Sequence, residues 1–360
     1  MGVIVTFGEI MARLAPAGFL RLQQVLPGTI DVTYAGAEAN VAASLAILGA
    51  KSRFVSALPH SPLADGCVTW MQGLGIETSY VIRPETGRMG IYYVETGANQ
   101  RPSRVVYDRD HTAISQSQPG DFRWSEIFQN ADWLHITSIT AALSKSAANV
   151  TLEAARQARK AGVRVSCDIN FRSKLWRWEP GVEPFQLASR FVQELIPYVS
   201  LLTANSEDCR LMNVELPNAD GHDREPEYLK QMAKRIVERF PDIQLVATTL
   251  RENISASHNN WGASLYDAAS DNLVFAPMLN GRYEPYEIRN MIDRVGGGDA
   301  FSAGLLYAFS QPELSDHQTA LEFATAASCL SHSIIGDVNY STRSEIEDLM
   351  RGQRSGRVVR

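Results

Sequence analysis

The spacing of apolar residues changes period several times along the chain. Val3–Phe7 is a short β-rich run closed by Gly8-Glu9, followed by a stretch punctuated by Pro16, Gly18, Pro27 and Gly28. Asp31–Tyr34 reads as a strand that stops at Gly36. From Glu38 to Leu48 the apolar Val41, Ala42, Leu45 and Leu48 recur at helical spacing, and Gly49 supplies the stop. Arg53–Leu58 is again strand-like. Arg88–Glu95 and Ser103–Arg109 are β-rich and joined by the polar turn Thr96–Pro102, which predicts a hairpin.

From Trp133 onward the two periods alternate. Strands are expected at Trp133–Ile136, Val163–Ile169, Val199–Thr203 and Leu245–Thr249. Helices are expected at Ala147–Ala161, Phe185–Ile196 and Tyr228–Phe240. Such alternation predicts a parallel sheet with covering helices. Asp293–Val295 reads as a last short strand leading through three glycines into the helix Ala300–Phe309. Leu321–Ile334 is a long apolar helix and Ser344–Met350 a short polar one. The pattern predicts one large α/β domain over 1–360, with a small β-sheet inserted from about 13–34 and 88–110. Insertions of that kind serve as lids or as plain structural subsheets.

Composition narrows the class. With 360 residues, 45% of them hydrophobic, the chain can bury a large core, and it is neither disordered nor fibrous. A net charge of -6 without a basic block argues against nucleic acid as the main partner. Cys67, Cys167, Cys209 and Cys329 form no C-x-x-C pair, so reduced thiols are expected. Met1–Glu9 lacks a basic leader region, and no apolar run reaches the roughly 18 residues of a membrane span. The expected place is the cytoplasm, with no membrane partner.

The most informative segment is Asp293-Arg294-Val295-Gly296-Gly297-Gly298-Asp299-Ala300-Phe301. Glycine N–H groups at a helix start suit a phosphate, because they approach closely and the helix dipole adds positive potential. A carboxylate at the lip would repel a ligand that is only an anion. Asp299 makes sense if it faces a hydroxyl that loses its proton to it while a phosphoryl group sits on the glycines. The plainer alternative is an aspartate capping a helix. No G-x-x-x-x-G-K-[ST] is present, and Phe301 breaks G-x-G-x-x-G. The H-R-D and D-F-G pieces of protein kinases are also absent.

Other segments offer polar groups at element ends. Asn40, in Tyr34-Ala35-Gly36-Ala37-Glu38-Ala39-Asn40, can donate and accept at a helix start, which suits a polyol or a helix cap. Asp168-Ile169-Asn170-Phe171-Arg172 closes a predicted parallel strand, where ligands of such sheets bind. A guanidinium there can grip a carboxylate through two parallel bonds, or simply face solvent. In the predicted hairpin, Tyr107 and Arg109 share one face by the period of two.

These motifs together resemble the ribokinase-like (phosphofructokinase-B) carbohydrate kinase family, and within it the branch acting on 2-keto-3-deoxygluconate. The likeness runs from Val5–Met11 to Ser355–Val358, and the signature D-x-x-G-A-G-D matches Asp293–Asp299 with Gly297 in place of alanine. The resemblance implies a three-layer α/β/α sandwich with a mainly parallel sheet and a small β-sheet lid. It implies ATP-dependent phosphorylation of the terminal 6-hydroxyl of a keto-deoxy sugar acid, with Asp299 as base and Gly296, Gly297 and Gly298 as anion hole. On the substrate it implies Gly36, Ala37, Asn40, Tyr92, Tyr107, Arg109, Arg172 and Asp337. On the nucleotide it implies Asn170, Asn205, Thr249, Thr325 and Ser328; the usual T-x-G loop reads Thr249-Leu250-Arg251 here, and Arg251 can supply charge where the glycine is missing. Glu207 or Asp208 is expected to hold Mg²⁺ through water. A monovalent cation is a further candidate, as is a homo-oligomer joined through the lid sheet. The rival expectations are a kinase for fructose or the galactonate epimer, and a silent sugar-acid sensor, against which Asp299 speaks.

Overall fold

The computed structural model describes residues 2–216 and 224–353. The last part of the family likeness, 355–358, lies outside the described residues. A ten-stranded sheet forms the centre, and the segments predicted as strands supply most of it. Val3–Phe7 lies in its middle, between Ser52–Ala57 and Ala131–Thr137, both parallel to it. Arg164–Asp168, Leu201–Thr203 and Leu245–Ser255 follow outward, also parallel. Beyond them the sheet turns antiparallel through His258–Asp267 and Asn272–Ala276.

Helices cover both faces because each carries one apolar stripe that must be buried. Lys145–Lys160, Pro184–Leu195 and Pro226–Arg239 pack on one side. Ala37–Ile47, Gly297–Ser310, His317–Ser331 and Arg343–Met350 pack on the other. The result is a ribokinase-like α/β/α fold. Among the described residues no helix is long and apolar enough to cross a membrane. All four cysteines are free.

A separate four-stranded sheet stands over the carboxyl edge of the large one. Its order is Asp31–Ala35, Met11–Ala15, Gly90–Glu95, Arg104–Asp108. The hairpin expected at Arg88–Arg109 is one antiparallel pair, Asp31–Ala35 with Met11–Ala15 is the other, and the two join in parallel through Met11–Ala15 and Gly90–Glu95. Residues facing the large domain form a row across all four strands: Thr33, Arg13, Tyr92 and Tyr107.

Three local expectations are corrected. Asp293–Val295 is a loop, because the Asp293 Oδ1 accepts the amides of Arg294 (2.8 Å) and Val295 (3.2 Å) and so turns the chain. The strand that starts at Leu245 does not end at Thr249. It runs on to Ser255 and folds back as a long hairpin, carrying Arg251 opposite Trp261. The helix after the glycines also starts earlier than expected, at Gly297.

Candidate active site

The carboxyl ends of the parallel strands and the inner face of the small sheet enclose a cavity of about 1060 Å³. The first turn of the Gly297–Ser310 helix opens into it. Gly296 is the N-cap with φ +83°, and a Cβ there would overlap the Asp337 carbonyl oxygen, so only glycine fits. The Ser328 hydroxyl donates to the Gly297 carbonyl at 2.6 Å and pins the turn from behind.

Asp299 sits in that first turn. Its Oδ2 accepts a hydrogen bond of 2.7 Å from Asn40 Nδ2, while Asn40 Oδ1 accepts from the Gly36 amide at 3.2 Å. Asn40 is therefore not a helix cap; it bridges two parts of the predicted site. Burial pushes the Asp299 carboxyl up to about 8, the Asn40 bond opposes this, and Asp168, Asp337 and Glu38 add repulsion. The arrangement places an orientable base beside an amide-rich helix start.

Further carboxylates gather at the strand ends. Asp168 ends its strand and is raised to about 6 by burial, moderated by Arg172 and the Asn170 amide at 3.1 Å. Asp208 is raised to about 7 by burial, moderated by the Asn205 amide at 2.9 Å and raised further by Asp168. Asn205 Oδ1 caps the short helix by accepting the amides of Glu207 and Asp208. Glu207 is exposed at the rim. Two hard-oxygen carboxylates that repel each other fit Mg²⁺, which needs only one or two of them beside phosphate and water. No cluster of three metal-ligating side chains exists among the described residues. Glu38 is fully buried, takes the Thr137 hydroxyl at 2.7 Å, and is pushed up to about 7 by burial.

The cations divide into neutralised and available ones. Arg109 pairs with buried Glu9 at 2.5 Å. Arg13 pairs with Asp293 and Asp337. Arg172 lines the cavity with no carboxylate paired to it among the described residues; its Nη1 donates to the Phe171 carbonyl at 3.0 Å. Arg251 lies over the Trp261 ring at 4.7 Å and its buried Nε has no partner. Burial pulls Arg251 down to about 10, and Arg294 and Arg172 add to that. A self-repelling group of arginines beside a helix N-terminus, with Arg251 and Arg294 half-buried and Arg172 exposed, fits a polyphosphate.

Most residues expected in the site line this one cavity: Gly36, Ala37, Asn40, Tyr92, Tyr107, Arg109, Asn170, Arg172, Asn205, Glu207, Asp208, Thr249, Arg251, Gly296–Gly298, Asp299 and Asp337. Thr325 and Ser328 do not. Both are fully buried in the helix layer, Thr325 bonding the Leu321 carbonyl and Ser328 the Gly297 carbonyl, so neither walls a pocket. Asp337 and Tyr92 are less free than expected: the Tyr92 hydroxyl donates to Asp337 Oδ2 at 2.7 Å, and Arg13 takes Oδ1. Sequence reasoning missed Glu9, Glu38 and Asp168 in the cavity wall, and Arg13 behind it. Only Asp168 had a readable signal, its place at the end of a predicted strand.

An α/β/α sandwich with a carboxylate at a glycine-rich helix start defines a small-molecule phosphotransferase, and comparison with known proteins identifies the line. The sequence profile described as pfkB family carbohydrate kinase matches residues 1–260, and the chain belongs to that family. It is 30% identical to the 2-dehydro-3-deoxygalactonokinase of Haloferax volcanii over 353 residues, 98% of each chain. It superposes with a TM-score of 0.87 on the 2-dehydro-3-deoxygluconokinase of Thermotoga maritima, at 38% identity, covering 98% of this chain and 100% of that one. The fructokinase of Xylella fastidiosa with bound ATP shares the fold, with a TM-score of 0.73 at 22% identity and 98% coverage of both chains.

Proposed function

We propose that this carbohydrate kinase transfers the γ-phosphoryl group of ATP to the 6-hydroxyl of a 2-keto-3-deoxy sugar acid, 2-keto-3-deoxygluconate first. The observation that carries the reading is Arg172: a guanidinium on the cavity wall with no carboxylate partner among the described residues. A neutral sugar offers that guanidinium no charge, whereas a sugar acid can answer it with two charge-assisted bonds. The two related kinases of keto-deoxy acids support the same class. The galactonate epimer is the second reading, favoured by the Haloferax relative.

In the proposed reaction the 6-hydroxyl lies at Asp299 and the γ-phosphorus in line behind it. The hydroxyl oxygen bonds to phosphorus, the bond to the β-phosphate oxygen breaks, and the proton passes to Asp299. A free alcohol is far too weak an acid for prior deprotonation, so proton transfer accompanies bond formation. Amides of the Gly296–Gly298 turn stabilise charge on the equatorial oxygens, where it grows. Asp168 and Asp208 would hold Mg²⁺, which would supply charge neutralisation on the phosphates. Arg251 holds the phosphate chain where family members use a glycine. The small sheet closes the cavity from above and keeps water from the phosphoryl group.

A coupled ADP-release assay with both keto-deoxy acid epimers and fructose tests this. Turnover of a keto-deoxy acid well above fructose is expected. Arg172→Gln should then lower kcat/KM for the acid by ~10–150-fold, the range for losing a bond to a charged group. Its KM for ATP should hardly change. Equal losses for acid and neutral sugars, or a large rise in the ATP KM, would assign Arg172 to the phosphates instead.

A further inference from the structure

Arg13 lies outside the cavity wall, yet it joins the small sheet to two residues that hold the start of the phosphate-binding turn. It stands on the strand Met11–Ala15, with Tyr92 directly beside it on the neighbouring strand. Arg13, Tyr92, Asp293 and Asp337 are all more than nine-tenths buried. One guanidinium nitrogen binds Asp337 and the other Asp293. Burial works against the charge of Arg13, but the two carboxylates outweigh it and hold the group protonated.

Each carboxylate is tied to the turn in its own way. Asp293 begins the loop: its Oδ1 holds the Arg294 and Val295 amides, and its Oδ2 takes the Gly336 amide at 3.2 Å. Asp337 presses its backbone carbonyl against Gly296, leaving no room for a Cβ. Its side chain is held from the small sheet by Arg13 and Tyr92. The N-terminal side of the Gly296–Gly298 turn is thus held by two residues whose common partner is Arg13. Neither carboxylate would keep its position with an unpaired buried charge.

We infer that Arg13 is a positioning residue for the transfer step: it sets the phosphate-binding turn only when the small sheet is seated. The inference rests on the kinase reading of the cavity, but not on which sugar fills it. It explains why a buried pair with two carboxylates is placed here although an apolar contact would cost less. Chemistry and sheet seating are then coupled through one side chain, and an unseated sheet leaves the turn unformed.

The test uses Arg13→Lys, Arg13→Gln and Asp293→Asn, since Asp293→Asn keeps the Arg13–Asp337 pair if the others fail to fold. With whichever sugar the wild type turns over fastest, kcat per folded molecule should fall ~10–100-fold, as expected for a misplaced reacting centre. The ATP KM should stay within a few-fold, and Arg13→Lys should retain more kcat than Arg13→Gln. Amide hydrogen exchange supplies a readout independent of any substrate. Exchange across 293–299 in the unliganded variants should quicken at least tenfold, while the central strands stay protected. A lower melting temperature with unchanged kcat and unchanged exchange at 293–299 would make Arg13 purely structural and overturn the inference. Failure of every sugar in the panel would sink the proposed substrate class, and the exchange result would still decide on Arg13.

Discussion

Asp299 has to be ionised to take a proton, yet burial pushes it up to about 8. Only its ionised form is a base, so activity should rise with pH through the pKa of the free enzyme. We therefore expect kcat/KM to fall on the acid side of about pH 8, approaching tenfold per unit. A profile flat from about pH 6 to 9 would show that the group ionises far lower and that the Asn40 bond and the helix start prevail. Asp299→Asn should keep the fold and ATP binding but lower kcat by ~10²–10⁴-fold, the range for a positioned base. It should also remove the acid limb in the residual activity. A kcat within a few-fold of wild type would take Asp299 out of the mechanism. At this scale the sequence was legible where chemistry clusters locally, as in Gly296–Asp299. It was not legible for Arg13, whose partners are 280 and 324 positions away and share no motif with it. Nor does a sequence reveal that Arg109 already has Glu9 as a partner.

The helix Gly297–Ser310 and its neighbour His317–Ser331 show what the element scale adds. Their periodic apolar residues announce them, but side-chain direction does not follow from period alone. That is why Thr325 and Ser328 point into packed helices instead of the cavity. The same packing bears on Gly297, where the family pattern has alanine. A Cβ at Gly297 would stand 2.8 Å from His332 Cε1. His332 cannot easily retreat: its Nδ1 donates to the Ser328 carbonyl at 2.7 Å and its ring lies 5.1 Å from that of Trp261. Burial holds that imidazole neutral, down to about 4. Two principles then predict opposite signs for Gly297→Ala. Helix propensity favours alanine by about 1 kcal/mol, whereas overpacking costs about 1–3 kcal/mol. We expect a net loss of stability in urea denaturation, reversed when His332→Ser makes room. A stabilised single variant would mean that His332 yields and that the glycine is incidental. The long hairpin from Leu245 to Asp267 was only half visible, because Arg251, Glu252 and Asn253 interrupt the apolar pattern while the backbone pairing continues.

At the scale of the whole molecule, the small sheet presents two unlike faces. On its inner row Tyr92 and Tyr107 line the cavity, with Arg13 beside Tyr92 behind the wall. The outer face carries Val32, Leu14, Tyr93 and Val106 in one row across the same four strands. Val32 is 53% exposed and Val106 43%, and Phe19, Leu20 and Leu26 nearby are also exposed. A two-faced sheet of four short strands gains by covering such a row, and contiguous exposed apolar surface marks interaction sites. We propose that a second copy of the chain covers it, sheet against sheet. Each cavity would then be closed by a sheet that the partner stiffens, and the Arg13 contacts would be made against a supported strand. A stable pair needs roughly 800 Å² per partner, within reach of such a sheet with its connecting loop. Light scattering at micromolar concentration should therefore give at least twice the chain mass. Val32→Asp with Val106→Asp should shift it to the monomer, because both changes leave charges inside the contact. Both residues lie away from the cavity, so the monomeric variant isolates the effect of support. Its ATP KM should hold while kcat falls, as the sheet seats less often. A wild type that is monomeric, or a monomeric variant with full kcat, would separate assembly from catalysis.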